Sequence, residues 1–210
     1  MSVSEAQVPR QTTQEAGDAG DTRALILRTA EALFMEHGYA AVSMSQIVEE
    51  ICKTRKLSKP AIYYHFADKE ALFIAVLDHV IERRGKAITV AGMTDGDLTA
   101  RVTALAAALA TGRDYFMVVR SAIGELGPAF RERFGHAMRA ELDDPVVRAF
   151  ERAAERGELR PGITPTIAAA TLIGIVVHLS FRESLEKSGR DIPALAAGIL
   201  LHGIGAREER

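Results

Sequence analysis

Apolar residues recur along most of this chain at spacings of three and four, and no stretch alternates apolar and polar residues at the period of two that a strand requires. The pattern predicts an all-α protein. The first periodic segment runs from about Thr22 to His37, with Leu25, Ala32, Leu33 and Phe34 on its apolar face and Ile26 and Ala30 adding to it. Gly38 stops it. Ser43 followed at three by Gln46 forms a capping box that opens a second helix striped by Met44, Ile47, Val48 and Ile51. Ser58 heads a third, barely two turns long, with Pro60 in the first turn where its missing N–H costs nothing. Ile62 and Phe66 lie four apart and face one core. Asp68 caps a fourth helix from Lys69 to about Lys86, with Leu72, Phe73, Val76, Leu77, Val80 and Ile81 inward.

Beyond a loop marked by Gly92 and Gly96, five further helices are expected: Leu98 to Thr111, Tyr115 to Ile123, Ala129 to Arg156 with a bend at Asp143-Asp144-Pro145, Thr164 to Lys187, and Asp191 to Gly203. Residues 1–21 are polar and small and read as a disordered tail. Ile167 to Phe181 is nearly all apolar, but its fifteen residues fall short of the roughly 20 needed to span a bilayer. Such a helix is expected between other helices or subunits, with no membrane partner. The N-terminus has neither a basic start nor an apolar run, so a cytoplasmic protein without a secretion signal is expected.

Composition narrows the chemistry. The chain has 210 residues, is 48% hydrophobic and contains one cysteine, so it can fill a core but not build a disulfide framework. His65, His79, His136, His178 and His202 are scattered without metal-ligand spacing. No nucleophile motif, P-loop or dinucleotide fingerprint occurs. No catalytic residue, metal or cofactor is expected.

Charge is concentrated in one place. Lys53, Arg55, Lys56, Lys59 and Lys69 face a single acid, Asp68, within seventeen residues of a chain whose formal net charge is −2. A positive patch on a mildly acidic protein suits an anionic partner. A helix as short as the third has little stability of its own, so its neighbours hold it to present something. Three helices with a tight turn before the third can place that helix in a DNA major groove. Lysine, tyrosine and histidine side chains are all phosphate donors. Tyr63 and Tyr64 have an alternative as packing residues against the first and fourth helices.

The block Ser43-Met-Ser-Gln-Ile-Val48, followed by Leu57-Ser-Lys-Pro-Ala-Ile-Tyr-Tyr-His-Phe-Ala-Asp-Lys-Glu-Ala-Leu-Phe73, resembles the N-terminal DNA-binding domain of the TetR/AcrR family of transcriptional regulators. Ala32-Leu-Phe-Met-Glu-His-Gly-Tyr-Ala-Ala41 also fits. The resemblance is specific from about Thr22 to Phe73. It implies a helix-turn-helix DNA-binding domain over 22–67 and a larger helical effector-binding and dimerisation domain over 68–205. By matched position it implies that Ser58, Lys59, Pro60 and Ala61 front the recognition helix and that Tyr63 and His65 contact phosphates. Lys69 matches a phosphate-binding lysine, and Ser43 and Ser45 begin the helix that crosses the DNA backbone. Tyr64 completes the expected DNA-facing set. The implied partners are a palindromic double-stranded operator, a second copy of the chain and a small effector that releases DNA from a repressor. One departure stands out: Ile47 to Ser58 is four residues longer than the family's usual spacing and lacks its turn glycine. Four residues are close to one helical turn. The second helix is therefore expected to end near Thr54, with Lys53, Arg55 and Lys56 adding phosphate contacts.

In the C-terminal half, Phe116, Phe134 and Met138 are expected to line a mostly apolar cavity, with Arg120, His136 and His178 near it to orient a polar end. Ordinary core packing is the alternative for each. The helices over 164–187 and 191–203 carry more apolar surface than a lone domain needs outside, so they are expected to form the homodimer contact. The rival function is a helical small-molecule-binding or interaction protein that no longer binds DNA.

Overall fold

The computed structural model describes residues 11–54, 58–111, 113–181 and 189–204. Among them the protein is all-helical: α1 (Gln11–Ala41), α2 (Met44–Thr54), α3 (Lys59–His65), α4 (Lys69–Ala91), α5 (Leu98–Ala110), α6 (Arg113–Met138), α7 (Asp144–Glu155), α8 (Pro165–Ser180) and α9 (Ile192–His202). A π-helical turn, Arg139–Asp143, links α6 to α7. The chain forms two compact units that divide between Val76 and Leu77, inside α4.

Five of the helix starts follow one chemical rule. A side-chain oxygen accepts the backbone N–H three residues on, replacing a partner that the first turn cannot supply. Ser58 does this for Ala61, Asp68 for Ala71, Asp97 for Ala100, Thr164 for Ile167 and Asp191 for Ala194. Prolines stand in the first turns of α3, α7, α8 and α9.

The first unit has a small core. Ile26, Leu27, Ala30 and Phe34 of α1 are buried with Ile47, Val48 and Ile51 of α2, Ile62 of α3, and Phe66. The buried row on α1 is 26, 30 and 34, spaced by four, so Ala32 of the expected face turns outward and is exposed. The rings of Phe34, Tyr39 and Phe73 cluster, Phe34 and Phe73 edge to face at 5.0 Å between centroids. Gly38, at φ 80°, breaks the helical path of α1 where the sequence placed its stop.

Helix α1 begins at Gln11, not Thr22, so the expected tail over 1–21 is helical from Gln11 onward. Gln, Glu and Ala are good helix formers, and extending an existing helix adds one hydrogen bond per residue fixed. Residues 1–10 lie outside the described residues. Helix α4 extends to Ala91, five residues past its expected end.

The second unit packs α4 from Ile81 onward with α5, α7, α8 and α9. Ile88, Val102, Leu105, Val146, Phe150 and Leu172 are among its buried residues. The kinks differ slightly from expectation. The break between the two segments expected over 115–156 falls at Gly127 (φ 78°), followed by Pro128. The expected bend at 143–145 takes the form of the π turn just before Pro145. A Cβ on Gly85 of α4 would collide with the Glu141 carbonyl oxygen in that turn, so the glycine permits the close approach.

Gly85→Ala should therefore destabilise the protein by about 1–3 kcal/mol, the usual cost of overpacking. Gly124→Ala, in an exposed part of α6 where an added Cβ meets nothing within 4 Å, should stabilise by up to about 1 kcal/mol through helix propensity. Urea unfolding of the two variants checks the opposite signs.

Candidate nucleic-acid interface and ligand cavity

Helix α3 is seven residues long and is anchored from one side. Ile62 has 0% exposure, and Phe66 ends the helix with its N–H donating to the Ile62 carbonyl. The turn before α2 is fixed by the capping box: the Ser43 N–H donates to Gln46 Oε1 at 2.7 Å, and the Gln46 N–H donates to Ser43 Oγ at 3.3 Å. Both Ser43 and Ser45 are exposed.

With α3 anchored this way, Ser58, Lys59, Pro60, Tyr63 and Tyr64 are exposed, while Ala61 and His65 are half-buried. Tyr64 is 88% exposed and Tyr63 44%. For Tyr64, packing against α1 or α4 is thus excluded; its ring lies 5.8 Å from that of His65 between centroids. Lys69, half-buried at the head of α4, donates to the Tyr39 carbonyl at 3.1 Å and holds its ammonium 4.1 Å from the Tyr39 ring centroid. These contacts fix the direction of its charge.

Two further groups alter the electrostatics. Lys53, in the last turn of α2, lies 3.2 Å from a Glu50 carboxylate oxygen and 3.4 Å from one of Glu49. Those partners hold its pKa above the usual lysine value, the Glu50 hydrogen bond most. Much of its charge is answered within α2, which weakens it as a free phosphate contact. Arg23 was not singled out in the sequence; its guanidinium sits 5.4 Å from the Phe66 ring centroid, bracing the end of α3. A lone arginine near the start of the first helix carried no signal of that contact. Helix α2 is described as far as Thr54, and Arg55 and Lys56 lie outside the described residues.

In the second unit a cavity of about 80 Å³ is bounded by residues of α4, α5, α6, the π turn and α8. Phe134 and Met138 line it. Arg120, His136 and His178 do not: all three are exposed. The periodicity explains these corrections. His136 is two residues from both Phe134 and Met138, roughly 200° round the helix from each. His178 stands in the same relation to buried Val176, and Arg120 follows the buried pair Val118 and Val119. The side chain of Phe116 lies outside the described residues.

The cavity's charged groups are Arg84 and Asp143. Arg84 had a legible signal: it interrupts the apolar stripe of α4, four residues after Val80 and four before Ile88. Its Nη2 donates to the Leu109 carbonyl at 3.2 Å, and its Nε is buried without a hydrogen-bond partner among the described residues. Burial pushes its pKa down from the usual arginine value. Burial also raises Asp143, as does the neighbouring Asp144, while Arg139 acts in the opposite direction. A wider opening of about 420 Å³, lined in part by Leu98, Phe150, Ile163 and Ile167, has charged groups, Glu158 and Arg160, that are already engaged. There Glu158 pairs with Arg101 and Arg156, and Arg160 donates to the Leu201 carbonyl.

Residues 26–76 match the profile of bacterial regulatory proteins of the tetR family, and residues 90–188 match that of a tetracyclin repressor-like C-terminal domain. The chain is 30% identical over 143 residues to the HTH-type transcriptional repressor AcnR of Corynebacterium diphtheriae, an alignment covering 66% of this chain and 68% of that protein. The fatty acid degradation regulator FadR from Bacillus halodurans superposes with a TM-score of 0.70 at 17% identity, covering 88% of this chain and 97% of that one. FadR from Bacillus subtilis, solved in complex with stearoyl-CoA, gives 0.65 at 15% identity, with 87% and 99% covered. The likeness to these two structures is one of fold. The chain belongs to the TetR family of regulators, which are non-catalytic. Among the described residues, no group of His, Cys, Asp or Glu is placed to hold a metal ion, and no helix is long and apolar enough to cross a membrane.

A raised Asp143 binds its proton more tightly in the folded than in the unfolded chain. Its contribution is then fully present below the unfolded value, near 3.8, and is lost as pH rises through the raised folded value. Asp143→Asn should remove that loss: the variant should gain stability relative to the parent as pH rises through this window and hold the gain at neutral pH. Thermal unfolding of both proteins across the acid range checks the sign.

Proposed function

We propose that this protein is a cytoplasmic transcriptional repressor that binds a two-fold symmetric DNA operator as a homodimer and is released from it by a small amphipathic effector. The observation that carries the DNA reading is the outward side of α3. Lys59, Tyr63 and Tyr64 stand exposed on a helix too short to persist without its buried anchors. Nothing in the core of the first unit explains two exposed tyrosines beside an exposed lysine, and all three can donate to phosphate oxygens. Ser58 and Ala61 would lie nearest base edges, where small side chains let the backbone come close. His65 and Lys69 would flank them on the DNA backbone, with Ser43 and Ser45 contacting it from the start of α2. The relative AcnR is itself named a transcriptional repressor.

The dimer reading rests on α8. Ala168, Ala169, Leu172 and Val176 are buried in their own unit, so they are not available to a second copy. Ile167, Ala170, Gly174, Val177 and His178 form an exposed stripe at helical spacing, and its small residues suit close approach of a second helix. The effector reading rests on the cavity in the second unit and on the acyl-CoA held by the Bacillus subtilis protein of the same fold.

Lys59→Ala should weaken binding to operator and random DNA alike and lower the salt slope by about one. Lys53→Ala, whose charge Glu49 and Glu50 already answer, should change the slope less. Fluorescence anisotropy over a salt series reads both variants. Equal slopes for Lys59→Ala and the parent protein would remove Lys59 from the interface. Gly174→Lys, placed where an added side chain meets open space, should yield folded monomers with reduced operator affinity. Sedimentation velocity reads that outcome, and an unchanged dimer would move the contact elsewhere.

A further inference from the structure

An arginine in the apolar stripe of a helix needs a physical reason. Arg84 is half-buried and stays charged at any ordinary pH, and taking a charge partly out of water without a counter-ion is costly. Among the described residues Arg84 forms no ion pair; its one hydrogen bond goes to the Leu109 carbonyl in the last turn of α5. That bond uses one of five N–H groups, and the buried Nε–H has no acceptor. Capping the C-terminal end of α5 accounts for one donor and would be met equally well by a lysine or a glutamine. It does not account for a planar fork beside a cavity whose walls include Phe134, Met138, Leu142 and Ile173.

We propose that this cavity binds a small monocarboxylic acid with an apolar body, its carboxylate held by the Arg84 guanidinium. The acid supplies the acceptors that Arg84 lacks, through the two-pronged geometry that guanidinium and carboxylate share. Its body replaces empty space against Phe134, Met138 and Ile173. Ser180 and Tyr115 also line the cavity, and a hydroxyl from either can serve the second carboxylate oxygen. The other charged group on the wall is Asp143; the Arg84 Nε–H is the buried donor left without an acceptor, and a carboxylate is drawn to that guanidinium fork. The volume of about 80 Å³ equals several water-sized spaces at roughly 10–15 Å³ each. That suits a short or single-ring acid better than a long acyl chain.

The proposal rests on the reading of the second unit as the effector-binding part, and its test separates the two. Hexanoate, benzoate, hexanol and hexylammonium are titrated calorimetrically into the full-length protein, without DNA. At least one of the two acids should bind, and hexanol should bind about tenfold or more weakly than hexanoate, the scale of a charge-assisted hydrogen-bonded contact. Arg84→Gln should abolish the preference for acid over alcohol, and Arg84→Lys should keep part of it. Ile173→Trp, which fills the cavity and leaves Arg84 intact, should block both acids, so the proposal does not depend on one variant folding. No binding of either acid, tighter binding of hexylammonium, or undiminished acid binding by Arg84→Gln would overturn it. The same acids are then added to the protein bound to DNA. Acid binding without DNA release would support the site and reject the switch. DNA release by other compounds, with no acid binding, would support the switch and reject the site.

Discussion

The first unit depends on the burial of Ile62 and Phe66. Helix α3 has seven residues, and a free helix of that length is largely unfolded in water. Two inward side chains one turn apart, with the Phe66 N–H closing on the Ile62 carbonyl, turn an unstable segment into a rigid platform. Once 62 and 66 face the core, Tyr64 points away from it and Tyr63 lies at the edge, while Lys59 is exposed as the first residue of the helix. The Ser58 cap and Pro60 fix where the helix begins, the capping box at Ser43 fixes α2, and Arg23 over the Phe66 ring braces the far end.

The second unit applies the same packing logic with one deliberate exception. Its core is ordinary helix-on-helix burial, but α4 carries Arg84 and Gly85 where aliphatic side chains would continue the stripe. Gly85 admits the π turn to van der Waals range, and that turn carries Leu142 and Asp143, both of which line the cavity. A charged group and a missing side chain, adjacent in sequence, thus shape and polarise a single space. Helix α4 contributes residues to both units.

Much of this was legible from spacing alone. The caps at Ser43, Ser58 and Asp68, the Gly38 stop and the buried stripes of α2 and α4 all follow from local chemistry. The outward face of α3 followed from two core positions. The cavity was less legible, because a pattern that names inward residues does not say which inward residues meet around a space. Phe134 and Met138 were recognised by their apolar character. His136, Arg120 and His178 were chosen for polarity in the right segments, and the helical period turns all three to the surface. The useful signal was the reverse one, a charge on an apolar stripe, and it pointed to Arg84. The Lys53 pairing was also hidden in plain sight, since Glu49 and Glu50 stand four and three residues before it, where helical neighbours meet.

The most direct test of the account is selection of bound sequences from a random double-stranded DNA pool by the full-length protein at near-physiological salt. The account predicts enrichment of one two-fold symmetric sequence, its half-sites separated by about one helical turn of DNA or a multiple of it. Retention of DNA without sequence enrichment, or no retention at all, would contradict the claim that α3 is held out to read an operator.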